Sequence, residues 1–207
     1  SLILDETLWP NQPMGRDVGG TRESVRGLSR ETIVRYMKRQ YSPINSVVAI
    51  AGNVTHEEVM AHVGQTFQNW TPTTPLPWSP AQHRSIEPRV RVEYRKTEQA
   101  HMYLALPGIH ALHPDRYALA LMNTALGEGM SSRLFLELRE KQSLVYDVHT
   151  TTSHLMDCGT FIAYAGVDPK NTKRALESIL SELHRIKEGI PEDELNKARE
   201  YLKGRLV

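Results

Sequence analysis

Two kinds of side chain in this sequence could do chemistry. The first is a pair in the stretch ELREKQSLVY, where Arg139 lies on the last turn of a predicted helix and Tyr146 follows seven residues later in a predicted strand. Arginine stays charged, and a phenol can donate a hydrogen bond. Taken alone, the pattern favours structural roles, with Arg139 in a helix-surface ion pair and Tyr146 half buried in a sheet. The second kind is the nine histidines, which raise the question of a metal site.

The spacing of the histidines argues against a metal site. His56 and His62 are six residues apart in a predicted helix, which leaves them about 240° apart around its axis, and neither HExxH nor HxxEH occurs. His110 and His113 have a spacing that could bind a metal, with Asp115 beside them, but solvated histidines are common in such a loop. Surface or strand-face roles are expected for the others, which are His83, His101, His149, His154 and His184.

Composition excludes several classes of function. With 25 Lys and Arg against 24 Asp and Glu, no bulk charge attracts the chain to nucleic acid or to an anionic membrane. The single cysteine, Cys158, excludes an intrachain disulfide and lies in an apolar run, which favours a buried, unreactive role. No apolar run is long enough to span a membrane, and the compartment stays undetermined. Motifs for phosphate binding or a serine nucleophile are absent, so motifs alone do not predict a self-sufficient enzyme.

A proline-rich segment divides the chain. TPTTPLPWSP, residues 71–80, contains four prolines and predicts a stiff, extended connector. Before it, Ser29 is a predicted N-cap, NSVVAIAG reads as a short buried strand, and the T-x-x-E pattern of Thr55 and Glu58 predicts a capped helix.

The part after this segment mixes strands and helices. RVRVEYR and HMYLALPG are predicted strands, a helix is expected from Asp115 to Leu126, and another begins near Ser131 or Ser132. LVYDVHTTT and GTFIAYAGV predict a hairpin, and two further helices follow Asp168 and Pro191. This order predicts an α+β fold, with mainly antiparallel sheets and helices packed on one face.

Several separated stretches of the chain resemble one known family. GMSSRLFLELREKQSLVYDV strongly resembles the C-terminal half of the pitrilysin/insulinase family of zinc metallopeptidases, and its branch with the mitochondrial processing peptidase and bacterial homologues most of all. LDETLWPNQPMGRDVGGT resembles the family stretch shortly after the zinc site, and TEQAHMYLALPG resembles the opening strands of the second homologous domain. AGVDPKNTKRALESILSEL and IPEDELNKAREYLKG continue the match in the same order.

The resemblance implies a domain organisation. It makes residues 1–70 the C-terminal part of a first, zinc-type domain, residues 71–88 a proline-rich linker, and residues 89–207 most of a second, substrate-binding domain. These are two homologous-type domains of a half-clam architecture. Family members bind zinc through HxxEH and a later glutamate, which by motif order would precede Ser1. Zinc is therefore expected in the parent protein and no metal ligand in this chain.

The resemblance also assigns a role to the opening pair. The family uses an arginine and a tyrosine of the second domain, seven positions apart, which face the zinc across a chamber; Arg139 and Tyr146 match them. Arg139 would bind substrate carbonyls or a carboxylate, and the Tyr146 hydroxyl would donate to the oxyanion formed at the scissile carbonyl. One position departs from the family pattern G-L-x-Y: Ser143 replaces the usual glycine. A serine can hold this turn if its φ is negative, so the geometry of the corner stays open at this point.

Two hypotheses about function follow. In the first, the chain is part of a zinc endopeptidase that cleaves peptides in an enclosed chamber, and the catalytic pair Arg139 and Tyr146 belongs to its substrate-binding wall. In the second, it is a non-catalytic partner or structural subunit without a zinc site. The expected partners are a peptide substrate and a zinc domain, either in the same chain or in a homologous subunit. Nucleic acid and a membrane span are not expected.

Overall fold

The computed structural model describes residues 2–82 and 88–206, which form two compact units. One unit is Arg16–Ser79, and the other combines Ser1–Gly15 with Pro80–Val207. His83 and residues 84–87 of the predicted linker lie outside the described residues. The assignment of residues 1–70, 71–88 and 89–207 to a first domain, a linker and a second domain of a longer protein stays a prediction.

The helices account for most of the regular structure. Among the described residues, four α-helices precede the sheet, and three α-helices and one π-helix lie among or after its strands. The predicted N-caps at Ser29 and Thr55 are confirmed, because each side-chain oxygen accepts a hydrogen bond from the backbone N–H three residues on. The helices are α1 (Leu2–Leu8), α2 (Arg22–Arg26), α3 (Arg30–Gln40), α4 (His56–Phe67), α5 (Arg116–Gly127), a π-helix (Phe135–Lys141), α6 (Thr172–Arg185) and α7 (Glu192–Leu206).

Three antiparallel strands form the sheet, which confirms the predicted α+β class and the hairpin. They are β1 (Ala100–Pro107), β2 (Val145–His154) and β3 (Gly159–Val167), in the spatial order β1-β3-β2. The central strand, β3, is rich in β-branched and small residues and pairs with β2 from Gly159 and with β1 from Thr160, in both cases as far as Val167. The rows of cross-strand neighbours that result fix which side chains share a face.

One face of the sheet packs against helices. Alternate residues of β3, such as Phe161, Ala163 and Ala165, are buried in the core with side chains of α5, the π-helix and α6. Leu138 of the π-helix and Ile179 of α6 have no exposed surface. The opposite face of the sheet bears polar and aromatic side chains, among them Tyr103, His149 and Tyr164.

Two contacts hold helices close to this core. A Cβ on Gly127, at the end of α5, would lie 2.4 Å from Thr150 Oγ1, so only glycine allows this approach between α5 and β2. Arg133 donates two hydrogen bonds of 2.7 Å to the carboxylate of Glu194 on α7, and both side chains are mostly buried. This bidentate pair raises the pKa of Arg133, chiefly through the hydrogen bond to Glu194.

Two strand predictions are wrong. NSVVAIAG, at residues 45–52, forms no strand, and Val47 is 94% exposed. RVRVEYR, at residues 89–95, is also without regular structure, and Val92 and Tyr94 are exposed. Both segments have strand-like sequences, but a strand needs a neighbour for its backbone hydrogen bonds, and the described part of the chain supplies none.

The proline-rich segment, residues 71–80, is extended and largely exposed. Its first part is tied to the end of α3, because Ser42 Oγ donates to the Thr73 carbonyl and accepts from the Thr73 N–H, both at 2.9 Å. The Leu76 N–H donates to Gln40 Oε1 at 2.7 Å. Its role as a connector between two homologous domains stays a prediction. Among the described residues, no helix is long and apolar enough to cross a membrane.

Candidate functional site

Arg139 lies in a helix of unusual geometry. Phe135–Lys141 is a π-helix, which has wider turns than an α-helix because each N–H reaches one residue further back. The carbon between the guanidinium nitrogens of Arg139 lies 4.9 Å from the centre of the Phe135 ring. Arg139 is exposed, and no carboxylate pairs with it in the described part of the chain, so the expected alternative of a helix-surface ion pair is not observed. Its charge is therefore available to a ligand.

The chain leaves this helix through a left-handed residue. Ser143 has φ +51, so the condition of a negative φ is not met: the serine holds the turn in the left-handed conformation, which glycine adopts at little cost. The Leu144 N–H then donates to the Leu138 carbonyl at 2.8 Å. This resembles the usual left-handed helix cap, widened by one residue to match the wide π turn.

Tyr146 occupies a β-bulge at the start of β2. Val145 pairs with Val167, whereas Asp147 pairs with the adjacent Gly166, so Tyr146 is the extra residue. Bulges re-aim a side chain and occur often beside active sites. Because Val145 and Val148 are both in the core, the bulge leaves Tyr146 and Asp147 consecutively on the exposed side. Tyr146 is 55% exposed.

The corner between Arg139 and Tyr146 is held by a polar network. Glu137 accepts hydrogen bonds from Lys141 Nζ at 2.9 Å and from Gln142 Nε2 at 3.0 Å. Gln142 Oε1 in turn accepts from Ser178 Oγ on α6 at 3.1 Å. The hydrogen bond from Lys141, with that from Gln142, lowers the pKa of Glu137. These bonds fix the end of the π-helix against α6.

The structure therefore places the two predicted site residues on either side of one rigid corner. Both side chains are exposed, but no hydrogen bond or ring contact joins Arg139 to Tyr146 in the described part of the chain. The roles predicted for Arg139 and Tyr146 stay predictions, because the structure holds no substrate.

Sequence reasoning missed a second group of side chains, on the exposed face of the sheet. Tyr164 of β3 lies between Tyr103 of β1, with ring centres 5.0 Å apart, and His149 of β2, with ring centres 4.8 Å apart. The Tyr164 hydroxyl lies 2.8 Å from His101 Nδ1. We call His101, Tyr103, His149 and Tyr164 the tyrosine–histidine cluster. Alternation along each strand could have placed these residues on one face, but not beside one another, because the pairing register was unknown.

No group of at least three His, Cys, Asp or Glu side chains among the described residues is arranged to hold a metal ion. His113 Nδ1 accepts the Asp115 N–H at 3.1 Å and is 5.4 Å, ring centre to ring centre, from His110. His154 Nδ1 lies within hydrogen-bond distance, 2.8 Å, of the Ile109 carbonyl oxygen. The Cys158 thiol is buried, as expected, and burial raises its pKa, which disfavours a nucleophilic thiolate.

Comparison with known proteins identifies the family. The family model of the peptidase M16 inactive domain matches residues 27–202. A Streptomyces coelicolor protein named uncharacterized zinc protease SCO5738 is 39% identical over 212 residues, which cover 99% of this chain and 46% of that protein. The uncharacterized zinc protease YmxG of Bacillus subtilis is 29% identical, covering 99% of this chain and 50% of the relative. This chain belongs to the peptidase M16 inactive domain family, which confirms the resemblance found in its sequence.

Solved structures show the same fold. The peptidase M16 inactive domain from Pseudomonas fluorescens superimposes with a TM-score of 0.86 at 23% identity, over 98% of this chain and 50% of that one. A chain of complex III2 from Candida albicans gives a TM-score of 0.83 at 19% identity, over 99% of this chain and 51% of that one. At these identities the likeness concerns the fold alone. The chain spans about half the length of the curated relatives it matches.

Proposed function

We propose that this chain is the substrate-binding half of a zinc-dependent endopeptidase that cleaves peptides in an enclosed chamber. The zinc proteases named among its relatives support the reaction class. No group of the described residues fits a zinc site, and in this proposal the metal is held by other residues of the longer protein. The contribution of this chain is then to bind the peptide and to stabilise charge on its scissile carbonyl.

The observation that carries the proposal is the concentration of backbone irregularities around the two site residues. A π-helix, a left-handed non-glycine residue and a β-bulge follow one another between Phe135 and Asp147. Each is less stable than the regular alternative, and such features cluster where a site needs a defined side-chain position. The three together surround Arg139 and Tyr146, in a part of the chain otherwise packed on a well-formed core.

Each side chain has a separate task in this proposal. The Tyr146 hydroxyl donates a hydrogen bond to the oxygen of the scissile carbonyl, whose negative charge grows when water attacks the carbonyl carbon. Arg139 binds a backbone carbonyl or the terminal carboxylate of the peptide through its planar donor group. The tyrosine acts on the transition state, whereas the arginine acts on the bound substrate.

Replacing Tyr146 by phenylalanine in the full-length protein tests this assignment. The change removes one hydrogen-bond donor and keeps the ring. We expect kcat to fall by about 100- to 1000-fold, as for the loss of one oxyanion donor, with a much smaller change in KM. Initial rates on an internally quenched peptide measure both constants.

Tyr117→Phe is the matched control. Tyr117 is an exposed tyrosine of α5 whose hydroxyl accepts a hydrogen bond from the Arg116 guanidinium at 2.8 Å, and its loss should leave kcat unchanged. Equal turnover by the Tyr146→Phe variant and the parent protein would refute the role of Tyr146. A change in KM alone would make Tyr146 a binding residue.

A second candidate is a partner subunit that binds peptides but holds no zinc. Two observations support this candidate. No group of the described residues is arranged to bind a metal ion, and the matching family model is described as an inactive domain. Metal analysis of the purified full-length protein separates the two. About one zinc ion per chain with peptidase activity supports the enzyme, whereas a metal-free protein that gains activity only with a second, zinc-bearing chain supports the partner subunit.

A further inference from the structure

The exposed face of the sheet has an uneven charge distribution. Along β1, β2 and β3, Asp147 is the only residue with a full charge at neutral pH; the other titratable side chains are histidines and tyrosines. The Asp147 carboxylate is 59% exposed, and its nearest titratable partner, His149 Nδ1, is 3.4 Å away. A lone carboxylate therefore stands at the edge of a surface made largely of aromatic rings.

The register of the strands brings this carboxylate to the tyrosine–histidine cluster. His101, Gly166 and Asp147 form one row across the three strands. Tyr103, Tyr164 and His149 form the next row on the same face, two residues further along each strand. Cross-strand neighbours such as these are in side-chain contact. The three rings of the second row lie side by side on the face opposite the one that packs against α5, the π-helix and α6.

Gly166 leaves room for the hydroxyl end of the central ring. A Cβ at this position would be 3.1 Å from Tyr164 Oη, so a larger residue would require the phenol to shift by a few tenths of an ångström. With glycine, the ring lies along β3, and its hydroxyl reaches His101. Burial, with smaller effects from Tyr103 and Asp147, raises the pKa of Tyr164, so the phenol stays protonated and can donate to His101 Nδ1.

We propose that Asp147 and the tyrosine–histidine cluster form a subsite for a basic side chain, arginine or lysine, of a bound peptide. The inference rests on the proposed function, because it takes the occupant to be a peptide substrate. The cation would lie over the Tyr164 and Tyr103 rings, with Asp147 accepting its hydrogen bonds. Along β2, Asp147 is one residue and His149 three residues from Tyr146, so the same peptide can reach both the subsite and Tyr146.

Charge complementarity favours a cationic side chain of the peptide over an aromatic one as the occupant. An aromatic side chain could stack on the cluster, but it would cover Asp147 and remove the carboxylate from water without a partner, which is unfavourable. A guanidinium or ammonium group satisfies that carboxylate and is attracted by the negative faces of the tyrosine rings. No lysine or arginine of the three strands competes for the carboxylate.

The test compares peptides that contain arginine or citrulline at one position. Citrulline has nearly the same shape but no charge, so the ratio of the two affinities reports recognition of the cation. Binding of labelled peptides to the full-length protein is measured by fluorescence anisotropy, with a chelator present to prevent cleavage. We expect the best arginine peptide to bind about tenfold more tightly than its citrulline analogue.

Three variants test which side chains distinguish arginine from citrulline. Tyr164→Leu and Asp147→Asn should each bring the ratio close to one, whereas Tyr164→Phe, which keeps the ring and loses only the bond to His101, should retain most of it. Thr151→Ala, on the same face of β2 but outside the cluster, should leave the ratio unchanged. Thermal unfolding of each variant shows that the fold is retained.

The possible outcomes separate this subsite from the proposed function. A ratio near one for the parent protein at every position, or tighter binding of a peptide with phenylalanine in place of arginine, would overturn the subsite and leave the peptidase proposal standing. Equal discrimination by Tyr164→Leu and the parent would overturn it too. If discrimination is found but no chelator-sensitive cleavage occurs in any preparation, the subsite stands and the peptidase proposal fails.

Discussion

The two units of the chain bury their apolar residues very differently. The unit formed by Ser1–Gly15 and Pro80–Val207 contains the sheet and a continuous core in which Leu126, Leu138 and Ile179 have no exposed surface. In Arg16–Ser79, all of whose residues are described, the only buried residue is Ser42, a polar one. Ile50 of that unit is 55% exposed. The first unit has the interior of a domain, and the second has helices without one.

This difference gives a physical meaning to the failed strand prediction. NSVVAIAG has the β-branched composition of a strand buried on both faces, but it has no neighbour and is exposed. We propose that Arg16–Ser79 is part of a domain whose remaining strands belong to the half of the longer relatives that this chain does not cover. Those strands would pair with residues 45–52 and bury Ile50.

The same isoleucine-to-alanine substitution in each unit tests this difference in burial, and it has the largest expected effect. In this 207-residue chain, Ile179→Ala should lower the free energy of unfolding by about 2–5 kcal/mol, because it opens a cavity in the core. Ile50→Ala should change it by about 0.5 kcal/mol or less, as for an exposed residue. Urea unfolding monitored by circular dichroism measures both.

The full-length protein should reverse the second result. There, Ile50→Ala is expected to cost about 2 kcal/mol or more, because the side chain becomes part of a core. Val18→Ala is the control, since Val18 is fully exposed and lies outside any strand-like stretch, and it should be neutral in both proteins. An equal, small effect of Ile50→Ala in both would contradict the proposal that other strands complete this unit.

Local signals and long-range contacts explain which features could be predicted. The caps at Ser29 and Thr55 were predictable because a cap depends on neighbours within one helical turn. The hairpin was predictable because its strands alternate and are close in sequence. Residues 45–52 were not, because a strand forms only when a distant segment pairs with it, and burial could not be deduced without that segment.

The candidate site was only half predictable for a different reason. Arg139 and Tyr146 were found through a resemblance, whereas the π-helix that contains Arg139 and the bulge at Tyr146 each insert one residue into a regular pattern. Sequence periodicity assumes regular repeats of 3.6 or 2 residues, so neither irregularity leaves a readable signal. Ser143 also concealed the left-handed turn, which glycine would have indicated.

Substitutions of Ser143 test whether the turn between the π-helix and β2 is left-handed. Because a residue with a Cβ is strained at φ +51, Ser143→Gly should stabilise the chain by about 0.5–1 kcal/mol. Ser143→Val should destabilise it by about 1–3 kcal/mol, since β-branching adds to the strain. The midpoints of thermal unfolding measure both changes.

The control for Ser143 has the opposite sign. Ser153 lies within β2, where glycine weakens a strand, so Ser153→Gly should destabilise the chain by about 0.5–1 kcal/mol. Stabilisation by glycine at Ser143 alone supports the left-handed turn. Destabilisation at both positions would mean that the turn has a negative φ in solution.

The smallest expected effect concerns the polar network at the corner and depends on pH. Hydrogen bonds from Lys141 and Gln142 lower the pKa of Glu137 below its ordinary value of 4.5. A carboxyl group with a lowered pKa in the folded state stabilises the fold above its unfolded pKa, and this contribution is lost as the pH falls below that value. We therefore expect Glu137→Gln to cost about 0.5 kcal/mol at pH 7, typical of a partly exposed ion pair, and progressively less below pH 4.5.

Urea unfolding at pH 7, 5 and 3.5 measures this dependence. Glu140→Gln is the control, because Glu140 is exposed on the same helix and has no hydrogen-bond or ion-pair partner in the described part of the chain. Its effect should not follow the same pH course. If the cost of Glu137→Gln is the same at pH 3.5 as at pH 7, the carboxylate does not hold the end of the π-helix. The rigidity of the corner would then rest on the turn at Ser143 and on the packing of Leu138 and Leu144 alone, which are both in the core.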